Sequence, residues 1–579
     1  MKKTTAMMMV LVALAACSAD NGYDDYQQPG GFPGGFSGNG EITPGSGELA
    51  EFTVDIDKTT AEPTSSATAQ YPDATEDPLS ANTFGTEVAI DLSNPTAKTE
   101  NGVEITVNGG HITANHGTQK GICYVVTGST DEGSFTVIGD KKYEIKLTNI
   151  SITNRDSAAL NLLSGKRAFL VLSGTNKLVD GETSKNSHKG ALYCKGKLLI
   201  NKEENSTDAK LEVYGNYNNA IHSADYIVIE KGTNVYAKST KNHGIKANDG
   251  VYINGGIVNV DVSALAAKGI NCESNIVVSG GRTTVVTTGN GTYEDNEAKG
   301  SAGIKCDSTF TMYDGQVYLR STGSGGKGIK CDSICNIKGG TIHIITTGGQ
   351  FSQNGDTASP KGIKADNDLT IDGGTIMVRT SGYNGEGIES KKNLTINGGT
   401  VMVAAYDDGI NSKYDMTING GNIIAIGSNS DGLDANGNMY ITGGNIIAYG
   451  SGGAETGIDV GEQYKLTITG GNIFSIGGRI DCTIGSTSQG IASTSGSVTA
   501  NSIVTVSSGS SPMASFTMPP YSTSGTIMVS CPGMTNGGSY TLSLGSTTQT
   551  VSASTSVSSG QGGQPGGGGP GGNPPGGGR

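Results

Sequence analysis

From Gly244 onward the chain alternates apolar and polar residues in short runs that return at a fixed interval. The copies read GIKANDGVYINGGIVNV from Gly244, GIKCDSTFTMYDGQVYL from Gly303, GIKADNDLTIDGGTIMV from Gly362 and GINSKYDMTINGGNIIA from Gly409. Opening glycines stand at 244, 269, 303, 328, 362, 387, 409, 432 and 457, so the interval is 22 to 25 residues except for two of 34. Runs rich in Ile, Val and Thr, alternating with polar residues and broken by Gly and Asn, predict strands and almost no helix. The interval is too short for a propeller blade, and the leucine-rich and calcium-binding nonapeptide frames are missing. It suits one turn of an all-β parallel β-helix, three short strands and three bends, each strand stacked on its copy in the next turn.

After each opening Gly comes Ile245, Ile270, Ile304, Ile329, Ile363, Ile388, Ile410, Leu433 or Ile458, and two residues on Ala247, Cys272, Cys306, Cys331, Ala365, Ser390, Ser412, Ala435 or Val460. Residues two apart share a face of a strand, so both columns point into the coil. Between them Lys246, Asn271, Lys305, Lys330, Lys364, Glu389, Asn411, Asp434 and Asp459 point outward. Lys305, Lys330 and Lys364 are each followed two residues later by Asp307, Asp332 and Asp366, which reads as a structural ladder of opposite charges.

Charges without such partners carry the candidate chemistry. Asp434 and Asp459, with Glu455 and the pre-glycine residues Asp408 and Asp431, form an acidic group with no base at the matching positions. Stacked carboxylates call for a cation, and Ca2+ is the hard, oxygen-loving one; solvated acidic surface is the alternative. In earlier turns the pre-glycine position holds Lys268, Lys327 and Lys361, with no carboxylate two residues away. The two long turns insert polar loops beside them, GNGTYEDNEAKGSA at 289–302 and GGQFSQNGDTASPK at 348–361. Loops on one corner of a coil are usual binding sites. The lysines can meet uronate carboxylates as point charges, with Tyr293, Phe351 and Tyr383 stacking on sugar faces. The alternative is a tolerated insertion and surface charge without a ligand.

Composition adds compartment and partners. A net charge of −14, from 39 basic and 53 acidic residues, argues against nucleic acid. Lys2 and Lys3, a short apolar stretch and Leu14-Ala15-Ala16-Cys17 give residues 1–16 the form of a lipoprotein signal peptide, with Cys17 as the lipidated residue. An ordinary secretory signal is the alternative. The acidic run after Cys17 resembles the export signal of surface-exposed lipoproteins in some Gram-negative bacteria, which implies an outer-membrane lipoprotein exposed at the cell surface. Residues 17–82 read as a flexible tether, 83–478 as the coil with an N-terminal cap near Glu87 to Leu92, 479–557 as a C-terminal module of four antiparallel strands, and 558–579 as a disordered Gly/Pro-rich tail. The cysteines of the inward column read as buried thiols acting as small core residues. A monomer is expected.

Ahead of the regular turns the order YVVTGS, KLTNISITN followed by AAL, LSGTNKLVDG, ALYCKGKLLIN and GNYNNAIHSADYIVI, then the GIKA and INGGT repeats, resembles the carbohydrate-binding parallel β-helix proteins first described from cellulose-degrading clostridia. The resemblance covers roughly residues 102–478. It implies a right-handed coil, bound calcium and affinity for plant polysaccharides, pectic or cellulosic, without established cleavage, and it names no catalytic residue. Two other readings stay open: a calcium-assisted polysaccharide lyase with Lys330 or Lys364 as base, and an adhesin or surface scaffold.

Overall fold

The computed structural model describes residues 62–183, 187–480 and 482–556. The signal peptide, Cys17 and the tail from 558 lie outside these residues. The three-residue turn Leu79–Ala81 is the only helix among the described residues, and the rest is the expected parallel β-helix. Each regular turn contributes one strand to a front sheet, one to a flank sheet and one to a back sheet, for example Ile245–Ala247, Gly250–Ile253 and Ile257–Val262. Each strand pairs in parallel with its copy one turn on, Lys268–Cys272, Asn275–Val278 and Arg282–Thr287. The front sheet holds sixteen strands, while flank and back are linked into one sheet of thirty-five.

Why these residues form a coil follows from what sits inside it. The Ile column from Ile245 to Ile458 is in continuous register, and no member is more than 2% exposed. At most of the opening glycines a back-sheet side chain fills the space a Cβ would take, and at Gly409 and Gly432 backbone atoms do. A Cβ on Gly269 would stand inside contact distance of Val285 Cγ1, and one on Gly362 would do the same with Val378 Cγ1. The bend from flank to back needs glycine for a different reason: Gly256, Gly281, Gly315, Gly340, Gly374, Gly399, Gly421, Gly444 and Gly471 all have φ between 71° and 96°, which costs a side chain strain. The second inward column serves the remaining bend. Ser390 Oγ lies 2.8 Å from the Asn367 carbonyl and Ser412 Oγ 2.9 Å from the Asp415 carbonyl. Cys194 and Cys272 offer their thiols to the Gly196 and Asn275 carbonyls in the same way. Cys194, Cys272, Cys306, Cys331 and Cys335 are buried, unbridged thiols, and burial pushes Cys194 and Cys272 up to about 12.

Additional strands close both ends, where a bare parallel edge would invite further pairing. Thr86–Asp91 lies parallel to Ile122–Thr127, and Val103–Asn108 pairs antiparallel with Gly110–Asn115. At the other end Thr523–Ser530 pairs antiparallel with the last back strand, Asn472–Gly477. The described residues of the C-terminal region carry seven strands, not four: Thr483–Ile484, Ile491–Val498 and Thr547–Ser554 join those expected.

The tether expectation needs correction for residues 62–82, which lie along the flank sheet as a strap. The flank face here would otherwise show Phe169, Leu199 and Val228 to water; Tyr71, Leu79 and Phe84 cover them, with Phe84 and Phe169 ring centroids 5.3 Å apart. Arg167 is the anchor. Its guanidinium meets Asp73 at 2.6 Å, Glu76 at 2.6 Å and Asp77 at 2.8 Å, and Tyr226 donates to the same Asp77 at 2.6 Å. Further along, the Glu62 carboxylate accepts the Gly232 and Gly256 amides. Composition hid this segment because its apolar residues are sparse and its acids meet a cation 90 or more positions away.

Asp77 is fully buried, so Arg167→Ala would leave a buried carboxylate without its cation, a loss of about 3 kcal/mol. The variant should melt earlier and be cut by protease ahead of Phe84 well before the coil is touched. An unchanged cleavage pattern would mean that the strap does not depend on Arg167.

Candidate functional site

The outward column of the front sheet runs Lys246, Asn271, Lys305, Lys330, Lys364, Glu389, Asn411, Asp434, Asp459 in continuous register. One end is therefore basic and the other acidic. Ladder pairs hold the basic half: Lys330 meets Asp332 at 3.0 Å, Lys364 meets Asp366 at 2.9 Å, and Lys305 reaches both Asp307 and Asp332. Lys246 bonds Glu273 of the next turn at 2.6 Å.

Both inserted loops are hairpins that rise from the corner between back and front sheets. Thr292–Glu294 pairs with Glu297–Lys299, and Phe351–Gln353 with Asp356–Ala358. Their turns use Asp295-Asn296 and Asn354-Gly355, all with positive φ, the two-residue hairpin signal that alternating flanks make readable. The hairpins lean on each other, with the Ala298 amide donating to Asp356 at 2.7 Å and Phe351 packed where any side chain on Gly291 would collide with it. Together they wall a groove of about 860 Å³ over the front sheet. Lys268, Lys299, Lys305, Lys327, Lys330, Lys361, Lys364 and Lys391 line it, against the carboxylates of Glu294, Glu297, Asp332, Asp366 and Glu389.

The three pre-glycine lysines line this groove from its base. Lys268 Nζ bonds the carbonyls of Ala266 and of Gly300, the latter at 2.8 Å, and Lys327 Nζ bonds the Gly325 carbonyl at 3.1 Å. Burial, reinforced by Lys330 and Lys305, pulls Lys268 down to about 7. Burial, reinforced by Lys330 and Lys364, does the same to Lys327. Lys361 departs from the expectation of a lysine without a carboxylate: its ammonium pairs with Glu386 and lies 3.5 Å from Glu389. These partners belong to the next turn, a direction that pairing along the strand does not inspect. At the basic end His243 accepts the Lys268 amide at 3.0 Å, and burial with nearby lysines pushes it down to about 3.

The aromatic expectations fare differently. Tyr293 and Phe351 are half-buried within the hairpins, Phe351 as packing between them. Tyr383 is exposed on the same corner, edge to face with Tyr406 at 5.4 Å, and its carbonyl accepts the Gln350 amide of the second hairpin. None of the three lines the groove, where the first hairpin presents Glu294, Glu297 and Lys299 and the second Thr357, Ala358 and Ser359 in place of the expected rings. Lys299, Lys391, Glu294 and Glu297 were missed; the Asp-Asn turn was the signal that could have placed the first wall, and the Asn-Gly turn the second.

Beyond Lys361 the column turns acidic. Asn411 Nδ2 donates to Asp408 at 2.8 Å and to Asp434 at 3.0 Å, Asn436 donates to Asp434 at 3.2 Å, and the Thr456 amide donates to Asp431. Burial, then Asp408 and Asp459, pushes Asp434 up to about 8. Burial, offset by the Thr456 amide and reinforced by Asp459, pushes Asp431 up to about 7. Glu455 adds its charge from the neighbouring bend. Each of Asp408, Asp431 and Asp434 is turned to an amide donor, and among the described residues no three His, Cys, Asp or Glu side chains stand where one ion could be held. The acidic end has the charge for calcium and lacks, with its side chains so placed, a formed chelate.

The model of a family described as carbohydrate-binding domain-containing protein matches residues 108–264 and 238–409, together more than half of the 579 residues. The chain belongs to this carbohydrate-binding family. Every residue lining the groove falls inside the matched span, and Asp431, Asp434 and Asp459 fall beyond it. Among solved structures, the polysaccharide lyase-like protein from C. thermocellum, a gadolinium derivative, is 21% identical over 43% of this chain and 96% of that chain, with a TM-score of 0.35. No curated protein matches.

A carboxyl whose folded pKa is raised binds more protons folded than unfolded, so its contribution is complete below the unfolded pKa and is lost as pH rises through the folded one. For Asp434 that window runs from 3.8 to about 8. The lysines act oppositely from about 7 upward, and buried His222, His243 and His343, lowered to about 4, 3 and 4, act oppositely below about 6.5, so the acids are read from the difference between parent and variant. In chelator, raising the pH from 5 to 7 should cost the parent more melting temperature, or gain it less, than it does Asp434→Asn. A variant with the parental slope would show that the acidic stack is not what titrates.

Proposed function

We propose that this family member holds an acidic polysaccharide of the pectic kind along the front groove without cleaving it. One observation carries the reading: eight lysines gathered in a walled groove, on a chain whose acidic residues outnumber its basic ones. Lys305, Lys330 and Lys364 repeat once per turn, about 4.8 Å apart, so a chain of uronates laid along the coil meets a cation at each turn. Their ladder partners Asp307, Asp332 and Asp366 fix the ammonium groups, Lys299 is held by Asp295 at 2.6 Å, and Lys268 and Lys327 add positive charge to the base of the groove as pH falls below about 7. Leu265 is the one large apolar residue in the lining, which suits a charged chain better than a neutral one. We place the protein at the outer-membrane surface, anchored through Cys17; recovery of Cys17→Ser in the membrane fraction would remove that anchor.

Calcium belongs to the proposal at the acidic end. Like charges stacked at Asp408, Asp431, Asp434 and Asp459 support cation uptake, which would require Asn411 and Asn436 to release their carboxylates. A calcium-induced rise in melting temperature that disappears in Asp434→Ala and persists in Asp332→Ala is the expected result, because Asp332 already has Lys330 as partner.

A second reading, lyase activity, is favoured by the lowered amines of Lys268 and Lys327, since an amine near neutrality can take the proton α to a uronate carboxylate. Lys330 and Lys364, the earlier candidates, are each held by their own aspartate. Replacing Lys330 and Lys364 together by Ala should weaken polygalacturonate binding about tenfold at low salt, and added salt should weaken the parent likewise. Ultraviolet absorbance of unsaturated uronate ends should stay flat throughout. A steady rise in the parent that Lys327→Ala abolishes would replace binding by elimination.

A further inference from the structure

On the opposite border of the front sheet, where it bends into the flank, three tyrosines stand out of the coil in successive turns. Tyr414 is 49% exposed, Tyr440 37% and Tyr464 42%. Flank strands Met416–Ile418, Met439–Ile441 and Lys465–Ile468 pair with Met416, Met439 and Leu466 in line. Tyr414, Gly437 and Tyr464 each stand two residues before these, so they occupy one corner position in three consecutive turns. An Asx ladder stiffens that corner: the Asn438 amide donates to Asp415 at 2.8 Å and the Lys465 amide to Asn438 at 3.2 Å.

The middle position cannot carry a side chain. A Cβ on Gly437 would collide with Asp415 Oδ1 and with the Tyr414 backbone, so the two outer rings are separated by a gap two turns wide, about 10 Å. Tyr440 projects from the flank strand of that middle turn, between Thr417 and Thr467 in its own outward column. The surface around it is hydroxyl and amide, with Thr442 Oγ1 bonded to Asn419 at 2.7 Å. Of the nearby charges, Lys413 stands 5.9 Å from the Tyr414 ring centroid. Exposed apolar residues scattered singly need no explanation, but three rings in adjacent turns, on a rigid corner and with a glycine between two of them, form a repeating surface.

We propose that Tyr414, Tyr440 and Tyr464 form a second glycan site, a stacking platform for an uncharged β-linked polysaccharide running along the coil axis. The electron-rich faces of the rings meet the C–H faces of pyranose units. The two-turn spacing matches one disaccharide, so Tyr414 and Tyr464 take alternate sugars while Tyr440 supports the chain from the side. The ligand is neutral because the charges beside the rings balance, Lys413 against Asp415 at Tyr414 and Lys465 against Glu462 at Tyr464, with Thr417 and Thr467 beside Tyr440, in contrast to the lysine groove. The site does not depend on the groove reading: it uses other residues, another corner and another class of sugar.

The test is affinity electrophoresis of the full chain in gels containing hydroxyethylcellulose or polygalacturonate. Tyr414→Ala with Tyr464→Ala should weaken retention by hydroxyethylcellulose at least about tenfold, Tyr440→Ala less, and the double Tyr→Phe variant should keep it; retention by polygalacturonate should not change. Single variants replace the double one should it melt early. Parental retention by hydroxyethylcellulose in the double variant, equal losses on both polymers, or no retention of the parent by any uncharged β-glucan overturns the platform.

Discussion

The structure depends on in-register parallel stacking. Once Ile245 lies on Ile270 and Ile270 on Ile304, every other residue of the turn is placed beside its own copy at about 4.8 Å. Glycine must then recur wherever a neighbouring sheet intrudes or a bend takes positive φ, and does so at Gly269 and Gly362 for the first reason and at Gly256 through Gly471 for the second. The core is a narrow column of small aliphatics, so the chain stays folded with only 34% apolar residues and no tryptophan. Serine and cysteine enter that column where a hydroxyl or thiol can satisfy a bend carbonyl.

The same constraint concentrates charge. Identical side chains stacked at strand spacing repel by about 1 kcal/mol or more each in a partly solvated site, and the chain answers in two ways. In the basic half Asp332 bridges Lys305 and Lys330. In the acidic half no lysine follows, and asparagines and backbone amides take the load. Lys361, Glu386 and Glu389 form the seam where the sign changes. A front sheet polarised along its axis, with one basic end walled by two hairpins, is what the coil offers a ligand.

Much of this was legible because repetition makes the inward pattern redundant. The Ile column and the Gly-Gly bends each recur across the regular turns, and the Lys–Asp ladders are visible at a separation of two residues. What escaped reading is what the repeat does not encode. The partner of Lys361 is Glu386, one turn away, so a search along the strand left that lysine without a carboxylate. The strap escaped because Asp73, Glu76 and Asp77 owe their order to one arginine, Arg167, far along the chain. The aromatic wall was misplaced because Phe351 stands in a loop of ligand-like composition yet fills the space between hairpins.

Amine footprinting tests the central claim most directly. Acetylation of surface lysines, followed residue by residue with and without polygalacturonate, should show Lys299, Lys305, Lys330, Lys364 and Lys391 protected by the polymer, with Lys141, Lys142 and Lys166 at the far end of the coil reacting as before. Protection confined to those distal lysines, or none in the groove at saturating polymer, would contradict the assignment of the basic half of the front sheet as the site of an acidic glycan.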